Sequence, residues 1–286
     1  MMKQIKLWSI LLLTVILFVV SCGDGDDTTG GVNNGQSTGS HYGHAWVDLG
    51  LSVRWATCNV GASQPHESGN YFAWGETTGY NEGKRNFSAK TYKWYDEGVG
   101  YTKYCDDSNR GIVDNKYLVD SEDDAATVNW GGSWRTPHPK EIAELVNNCY
   151  WEWTSSYNGS GIKGCIVYKA KTTTDMGVYC NESRAVLPSE KYNISDAHIF
   201  LPAVGDYDGT SMYGNGIPNK DEPQGRYRGL FWTSALGHDS HSISYTYYTF
   251  NDYTGSGLEI FLDNSERGIG DIGRTCGLTI RAVCPK

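Results

Sequence analysis

The sequence lacks an excess of positive charge. Its 24 Lys and Arg residues stand against 33 Asp and Glu, so the formal net charge is −9 with histidine neutral. Binding a phosphate backbone needs a basic surface, and we therefore expect no nucleic-acid partner. The sequence also has no nucleophile elbow, phosphate-cradling loop or zincin helix, and no CxxC pair or cluster of Cys and His ligands. These absences predict a protein with no catalytic residues, no metal and no cofactor.

Aromatic residues and glycine are abundant instead. The chain has 20 Tyr, 10 Trp and 35 Gly with few long aliphatic runs, a composition typical of short strands joined by turns and irregular loops. Its 286 residues are enough for one large domain or two small ones with a hydrophobic core. Tyr and Trp also suit a binding surface, because they offer a large contact area with few rotatable bonds.

The N-terminus has the pattern of a secretion signal. Lys3 and Lys6 precede an apolar run over residues 7–20, which is shorter than the about 20 residues of a comfortable membrane span. Residues 19–22 resemble the bacterial lipobox, in which the peptidase cuts before the cysteine. The resemblance implies that residues 1–21 are a lipoprotein signal peptide and that Cys22 is the lipid anchor. An uncleaved signal anchor followed by an incidental cysteine is the alternative.

Residues 22–43 are predicted to form a flexible tether to a single folded domain over residues 44–286. The tether contains Gly, Asp, Thr, Asn, Ser and Gln with almost nothing apolar, so it cannot bury enough surface to order itself. Its residues 23–27 resemble the acidic signal that sends Bacteroidetes lipoproteins to the outer face of the outer membrane. The resemblance implies a lipid-anchored protein that faces the exterior, and a merely solvated acidic linker is the alternative.

Seven cysteines remain after Cys22. They are Cys58, Cys105, Cys149, Cys165, Cys180, Cys276 and Cys284. Because seven is odd, at least one should be unpaired or paired between chains. An oxidising compartment permits disulfides among the rest, but the sequence leaves their connectivity open.

Two helices are predicted. The first covers residues 122–129, with Ser121 as its N-cap and three acidic residues in its first turn, where the helix dipole favours negative charge. The second begins at Pro139, a favourable first residue, and Glu141 can reach back to cap it. Helical i, i+3, i+4, i+7 spacing then gives the second helix one apolar stripe for the core. The stripe contains Ile142, Leu145, Val146 and Cys149.

Strands are predicted on both sides of these helices. A hairpin fits the alternating residues 44–56. Later strands are predicted over residues 164–168, 198–201, 230–233, 244–250 and 278–283. Strands before and after a helical middle describe an α+β domain, and no solenoid repeat is found.

Several sequence blocks resemble a known family. They are residues 47–61 (VDLGLSVRWATCNVG), 71–76 (YFAWGE), 123–126 (DDAA), 129–137 (NWGGSWRTP), 200–203 (FLPA), 231–234 (FWTS) and 277–283 (GLTIRAV). In this order they resemble the Fibrobacter succinogenes major paralogous domain family. The resemblance implies a C-type lectin-like fold, with two helices beside small twisted antiparallel sheets, termini close together and long loops on one face. The family is common on Bacteroidetes lipoproteins, and its biochemical role is mostly undefined.

Structural roles are expected for the large residues of these blocks. Trp134 should fill core volume, and Arg135 should bond loop carbonyls at the entrance to the second helix. The side chains of Trp232, Leu278 and Ile280 should pack behind that helix. Core aromatics outnumber binding aromatics in strands, so these residues are left out of the predicted site.

The sequence contains partial matches to the motifs of two chemistries known for this fold. Sugar-binding C-type lectins coordinate calcium through carboxylate and amide oxygens, and residues 222–224 (EPQ) and 250–252 (FND) depart from their motifs. Formylglycine-generating, sulfatase-modifying enzymes share the fold and use a reactive cysteine. Cys276 and Cys284 align loosely with that cysteine, but in an exported protein they are more simply a disulfide candidate. Neither chemistry enters the predicted site.

The ligand-binding surface is predicted between residues 235 and 275, where C-type lectin-like proteins carry their ligand face. Alternate strand residues face opposite ways, and Phe250 is the most apolar of its strand, so its side should face inward. Tyr245 and Tyr247 are therefore predicted as exposed contacts. Flanking loops are predicted to add Asp239, His241, Asn251 and Tyr253. A solvated strand edge in a Tyr-rich protein is the alternative.

These features together predict a surface-exposed lipoprotein whose non-enzymatic recognition module binds a protein or glycan ligand. One alternative is a structural or adhesin-tip subunit of a surface assembly. A second alternative is an enzyme of the sulfatase-modifying type. Contact with the membrane is expected through the lipid anchor only.

Overall fold

The structure is a computed structural model. It describes residues 28–29, 38–81, 85–180, 188–218, 220, 227–237, 254–261 and 267–286, with the backbone alone at 28–29, 254–261, 267–269 and 271. The described chain forms a mixed α+β domain that is mostly β. Its helices are α1 (Ala125–Trp130) and α2 (Pro139–Asn148).

Short strands make up most of the regular structure. They are β1 (Thr28–Thr29), β2 (Thr38–His41), β3 (His44–Val47), β4 (Val53–Ala56), β5 (Tyr95–Asp96), β6 (Gly100–Tyr101), β7 (Cys149–Thr154), β8 (Gly164–Lys169), β9 (Tyr179–Cys180), β10 (His198–Pro202), β11 (Asp206–Asp208), β12 (Ser211–Tyr213), β13 (Arg228–Leu236), β14 (Thr254–Phe261), β15 (Arg267–Gly273) and β16 (Val283–Pro285). Single turns of 3₁₀ helix lie at Ala89–Thr91, Tyr157–Gly159 and Thr173–Asp175.

One sheet joins the two ends of the domain. Its strand order is β1-β2-β3-β4-β16, and β16 pairs antiparallel with β4 so that Val283 lies opposite Trp55. The predicted hairpin over residues 44–56 is confirmed, because β3 and β4 pair antiparallel. The first and last parts of the folded domain are therefore neighbours.

Two further sheets contain most of the other predicted strands. The sheet β10-β8-β7-β9 includes the predicted strands at residues 164–168 and 198–201, and the sheet β13-β14-β15 includes the one at 230–233. These three predictions are confirmed. The strand predicted at residues 244–250 lies outside the described residues.

The strand predicted at residues 278–283 is wrong. In this segment the chain changes partner almost at every residue: Leu278 bridges to Phe72, Thr279 to Phe231, and the carbonyl of Ala282 accepts from the N–H of Ala56. A regular ladder needs one continuous partner. The C-terminal strand is instead β16, which begins only at Val283.

The start of α1 also differs from the prediction. The helix begins at Ala125 and its N-cap is Asp124, whose carboxylate accepts the N–H of Thr127 at 3.0 Å. Ser121 lies outside the helix and is exposed. Asp124 takes the cap position because Thr136, from the chain that follows the helix, also donates to its carboxylate.

The prediction for α2 is confirmed. The helix starts at Pro139, and the side chains of His138 and Glu141 form a reciprocal capping box. Ile142 and Leu145 are buried and Val146 packs against them, as the apolar stripe predicted. Cys149 is buried in the same cluster but lies just past the helix, as the first residue of β7. The cap and the stripe are both local in sequence, which is why the pattern was sufficient.

The core is divided between the two helices. The α2 stripe packs in one cluster with Trp55, Trp151 and Phe231. The expectation that Trp232, Leu278 and Ile280 pack behind α2 is wrong, since these residues lie in a second cluster with Ala125, Ala126 and Trp134. Successive residues of a strand point to opposite faces, so Phe231 and Trp232 of β13 serve different clusters.

Candidate functional site

The predicted ligand surface rests on contact residues that the structure does not describe. Asp239, His241, Tyr245, Tyr247, Asn251 and Tyr253 all lie outside the described residues, as does the lipid-anchor candidate Cys22. The partial calcium motifs at residues 222–224 and 250–252 also lie outside the described residues. The contribution of Tyr245 and Tyr247 to binding stays a prediction.

A cleft of about 650 Å³ opens on the described part of the domain, between residues 118–121 and the start of α2. Most of its lining residues have polar side chains. The lining residues are Ser52, Leu118, Val119, Ser121, Asp124, Thr127, Arg135, Thr136, His138, Lys140, Glu141, Glu144 and Ser234. Pockets that take small ligands have volumes of roughly 300–1,000 Å³, so the cleft is large enough for a ligand segment.

The two walls of the cleft diverge from one residue of β13. The carbonyl of Ser234 accepts the N–H of Val119 at 2.9 Å, and the N–H of Ser234 donates to the carbonyl of Pro137 at 2.9 Å. One wall continues from Val119 towards Ser121, and the other continues from Pro137 into α2. Because a strand anchors both walls, the cleft is held by regular structure.

The inner end of the cleft is a closed hydrogen-bond network around Asp124. Its carboxylate accepts the N–H of Thr127 at 3.0 Å, and the N–H and hydroxyl of Thr136 at 2.9 and 3.1 Å. Asp124 and Thr136 are both buried. This carboxylate therefore has little capacity left for a ligand.

An ion pair crosses the α2 side of the cleft. Arg135 Nη1 donates to Glu141 Oε2 at 2.8 Å, and a second bond joins Nη2 to the other carboxylate oxygen. Burial acts to raise the pKa of Glu141, but bonds from Arg135 and from the N–H of His138 hold that pKa below its usual range. Arg135 also donates to the carbonyl of Thr136 at 3.3 Å, as expected, and Trp134 is fully buried as expected. The Glu141 partnership of Arg135 was not predicted.

His138 and Lys140 supply the unused donors of the cleft. Nδ1 of His138 accepts the N–H of Lys140 at 3.2 Å, so neutral His138 carries its proton on Nε2. Among the described residues, neither this Nε2 nor the ammonium of Lys140 has a hydrogen-bond or ion-pair partner. The cleft thus offers hydrogen-bond donors, while its carboxylates are already engaged.

We expect the fold to lose stability as the pH falls from 7 to 5. Burial holds the pKa of His44, His138 and His198 below the usual value near 6.5. Between pH 7 and 5 the unfolded chain binds protons that the folded chain does not. The free energy of unfolding therefore decreases as the pH decreases. Urea titrations at pH 5 and 7 measure the difference.

The variant His138→Asn isolates one part of this dependence. Asn is a favourable N-cap but does not titrate, so the variant should fold and show a smaller loss of stability between pH 7 and 5. Equal pH dependence in the variant and the unchanged protein would show that His138 does not contribute.

A separate acidic cluster is already neutralised by this chain. One carboxylate oxygen from each of Asp120, Glu122 and Asp123 lies close enough to share a metal ion. However, the ammonium of Lys103 lies 2.6 Å from both Asp120 and Asp123, and Lys93 lies 3.1 Å from Asp123. The lysine ammonium groups supply the positive charge that a metal would bring, so we assign this cluster a structural role.

Neither Cys149 nor Cys276 has an activated thiol. Burial raises the pKa of Cys149 and of Cys276 to about 12, whereas a reactive cysteine needs a stabilised thiolate. Cys276 forms no disulfide, so the Cys276–Cys284 disulfide candidate is wrong. The side chains of Cys276 and Cys284 lie in the cluster that packs against α1, where they fill core volume.

Sequence reasoning missed the cleft residues Leu118, His138 and Lys140. Only the helix start at Pro139 was a signal for His138, which precedes it as the N-cap. No family model, curated protein or solved structure matches the chain. Within the described ranges no helix has the length and apolar character to cross a membrane.

Proposed function

We propose that this protein is a non-enzymatic recognition module, displayed at the cell surface, that binds a protein or glycan ligand. The observation that carries the proposal is the cleft beside α2, with its unused donors at His138 and Lys140. Polar groups held by a rigid scaffold and left without internal partners are typical of a binding site.

For the fold we propose a C-type lectin-like domain of the Fibrobacter succinogenes major paralogous domain family. The pairing of β4 with β16 and the presence of two helices beside small antiparallel sheets support it. The sequence blocks that carry the resemblance also contact one another. Arg281 donates to the carbonyl of Thr57 at 2.9 Å, and the backbones of Arg135 and Val283 exchange two hydrogen bonds. Such mutual contacts explain why these blocks would occur together.

For the location we propose outer-membrane anchoring through lipid on Cys22, with the domain facing the exterior. The lipobox-like residues 19–22 and the acidic residues 23–27 support it. We expect Cys22→Ala to abolish lipid labelling and to leave unprocessed precursor, because the peptidase acts on the lipidated cysteine. Labelling with a radioactive fatty acid, followed by gel mobility, measures both effects. Unchanged labelling would contradict the anchor.

A subunit of a surface assembly is the second candidate. Several large apolar side chains are about half exposed, and exposed apolar surface favours protein contacts. They include Val99, Ile112, Val113 and Leu118. This candidate predicts that the protein isolated from its native membrane carries a stoichiometric partner subunit.

Arrays of glycans and peptides, probed with the purified full-length protein in detergent, test the proposal. Saturable binding to either array supports a recognition module, and repetition with and without calcium measures metal dependence. An absence of binding to both arrays, together with a stoichiometric partner in the native membrane, would favour the assembly subunit instead.

A further inference from the structure

Leu118 forms an isolated β-bridge to β13 and presents an open backbone edge. The residues on either side of it pair with β13, through bonds from Val119 N–H to Ser234 and from Leu236 N–H to the carbonyl of Tyr117, at 2.9 and 2.8 Å. Leu118 lies opposite Ala235 in this antiparallel bridge. Because successive backbone groups of a strand point to opposite sides, the N–H and C=O of Leu118 point away from β13. In the part of the chain that the structure describes, neither group has a partner.

The open edge lies at the cleft. Leu118 lines it, and the side chain of Leu118 is 47% exposed. One residue therefore offers three things to a ligand: a backbone donor, a backbone acceptor and an apolar side chain. Across the cleft, His138 Nε2–H and the Lys140 ammonium add two more donors.

The lining favours a peptide over a glycan. None of the described residues that line the cleft is Phe, Tyr or Trp, so a sugar ring would find no phenyl, phenol or indole face to stack on. An extended peptide matches what is present, because its backbone can exchange two hydrogen bonds with a single strand residue. Addition of a strand to an exposed sheet edge is a recurrent mode of peptide recognition.

We infer that the cleft binds an extended peptide segment of a partner protein, which adds as a strand beside Leu118. This inference rests on the proposed recognition function and specifies its ligand. The peptide residue opposite Leu118 exchanges both backbone hydrogen bonds with it. A neighbouring side chain of the peptide carries a carboxylate or amide oxygen, which accepts from His138 Nε2–H or from Lys140. An apolar peptide side chain covers the exposed Leu118.

The charges in the cleft support this ligand chemistry. Arg135 and Glu141 neutralise each other, and Glu144 accepts the N–H and hydroxyl of Ser52 at 2.9 and 2.6 Å. The engaged carboxylates do not need a cation from the ligand. Lys140 is the remaining cation of the lining without a partner, so an acceptor or an acidic side chain is favoured over a basic one.

Selection from a displayed library of random 12-residue peptides, followed by synthesis of the selected peptides, tests the inference. We expect methylation of one peptide backbone nitrogen, that of the residue opposite Leu118, to weaken binding at least about tenfold, while methylation at the other positions has little effect. In the unchanged protein, hydrogen exchange at the Leu118 amide should be fast when free and slow when the peptide is bound.

Variants of the protein test the same contact. Leu118→Pro removes the open N–H and should weaken peptide binding at least about tenfold, whereas Ile194→Ser, at another exposed apolar residue, should not change it. If Leu118→Pro fails to fold, the exchange measurement on the unchanged protein still decides.

The outcomes separate this inference from the proposed function. Peptide binding without slower exchange at Leu118 overturns strand addition and leaves recognition intact. Binding to the glycan array with no selected peptide overturns the peptide ligand and again leaves recognition intact. The absence of any ligand in both formats overturns the inference and the recognition function together.

Discussion

Truncation of Leu145 to alanine should lower the free energy of unfolding by about 2–5 kcal/mol, the range for removing a large buried aliphatic side chain. Leu145 is fully buried in the centre of the α2 stripe and packs in one cluster with Trp55, Trp151 and Phe231. Its carbonyl also accepts the indole N–H of Trp151 at 3.2 Å, which fixes the ring beside it. Because two indole rings restrict relaxation around the site, the variant should leave a cavity.

Urea denaturation of Leu145→Ala and of Val128→Ala gives the comparison. Val128 lies in α1 and is 52% exposed, so its truncation also removes methyl groups but opens no cavity. We expect that control to change stability by less than about 0.5 kcal/mol. A loss below about 1 kcal/mol for Leu145→Ala would show that α2 does not bury the face assigned to it.

Sequence patterns were sufficient where the determining contacts are local. Pro139, Glu141 and the apolar stripe specify α2 within one short stretch, and the helix forms there. The hairpin of β3 and β4 is likewise encoded by alternation on either side of a turn. Neither element needs a distant partner to choose its register.

Predictions from sequence patterns were wrong where contacts with residues far away in the sequence decide the local structure. Four consecutive residues, 121–124, are all acceptable N-caps or first-turn residues for α1. Lys103 engages Asp123 and Thr136 engages Asp124, and these contacts place the cap three residues later than the local rule does. The strand prediction for residues 278–283 was wrong for the same reason, because the guanidinium of Arg281 turns inward and donates to Asn59 and Thr57.

The cleft could not be predicted from the sequence. Leu118 becomes an open edge only because its neighbours pair with β13, which is far away along the chain. His138 becomes a directed donor only because the N–H of Lys140 occupies its other ring nitrogen. Local composition carries no signal for either arrangement. The predicted Tyr-rich surface rests on composition and on the family resemblance, and it stays a prediction.

Asp124→Ala should be comparably destabilising, with a loss of at least about 2.5 kcal/mol, which is the lower limit for one helix N-cap and two buried donors together. Loss of a helix N-cap costs about 0.5–2 kcal/mol, and each buried donor left without an acceptor adds about 1–3 kcal/mol. In this protein the N–H and hydroxyl of the buried Thr136 lose their acceptor together with the N–H of Thr127. The change therefore affects both the start of α1 and the chain that leads into α2.

Ser121→Ala is the matched control, because Ser121 is the N-cap that the sequence predicts for α1 and Asp124 is the N-cap in the structure. Ser121 is exposed, so its truncation should change stability by no more than about 0.5 kcal/mol. Asp124→Asn, which keeps an acceptor for the helix, should lie between the two. Urea denaturation of the three variants measures the order. If Ser121→Ala were the more destabilising change, α1 would start at the earlier residue and the network at the inner end of the cleft would be misassigned.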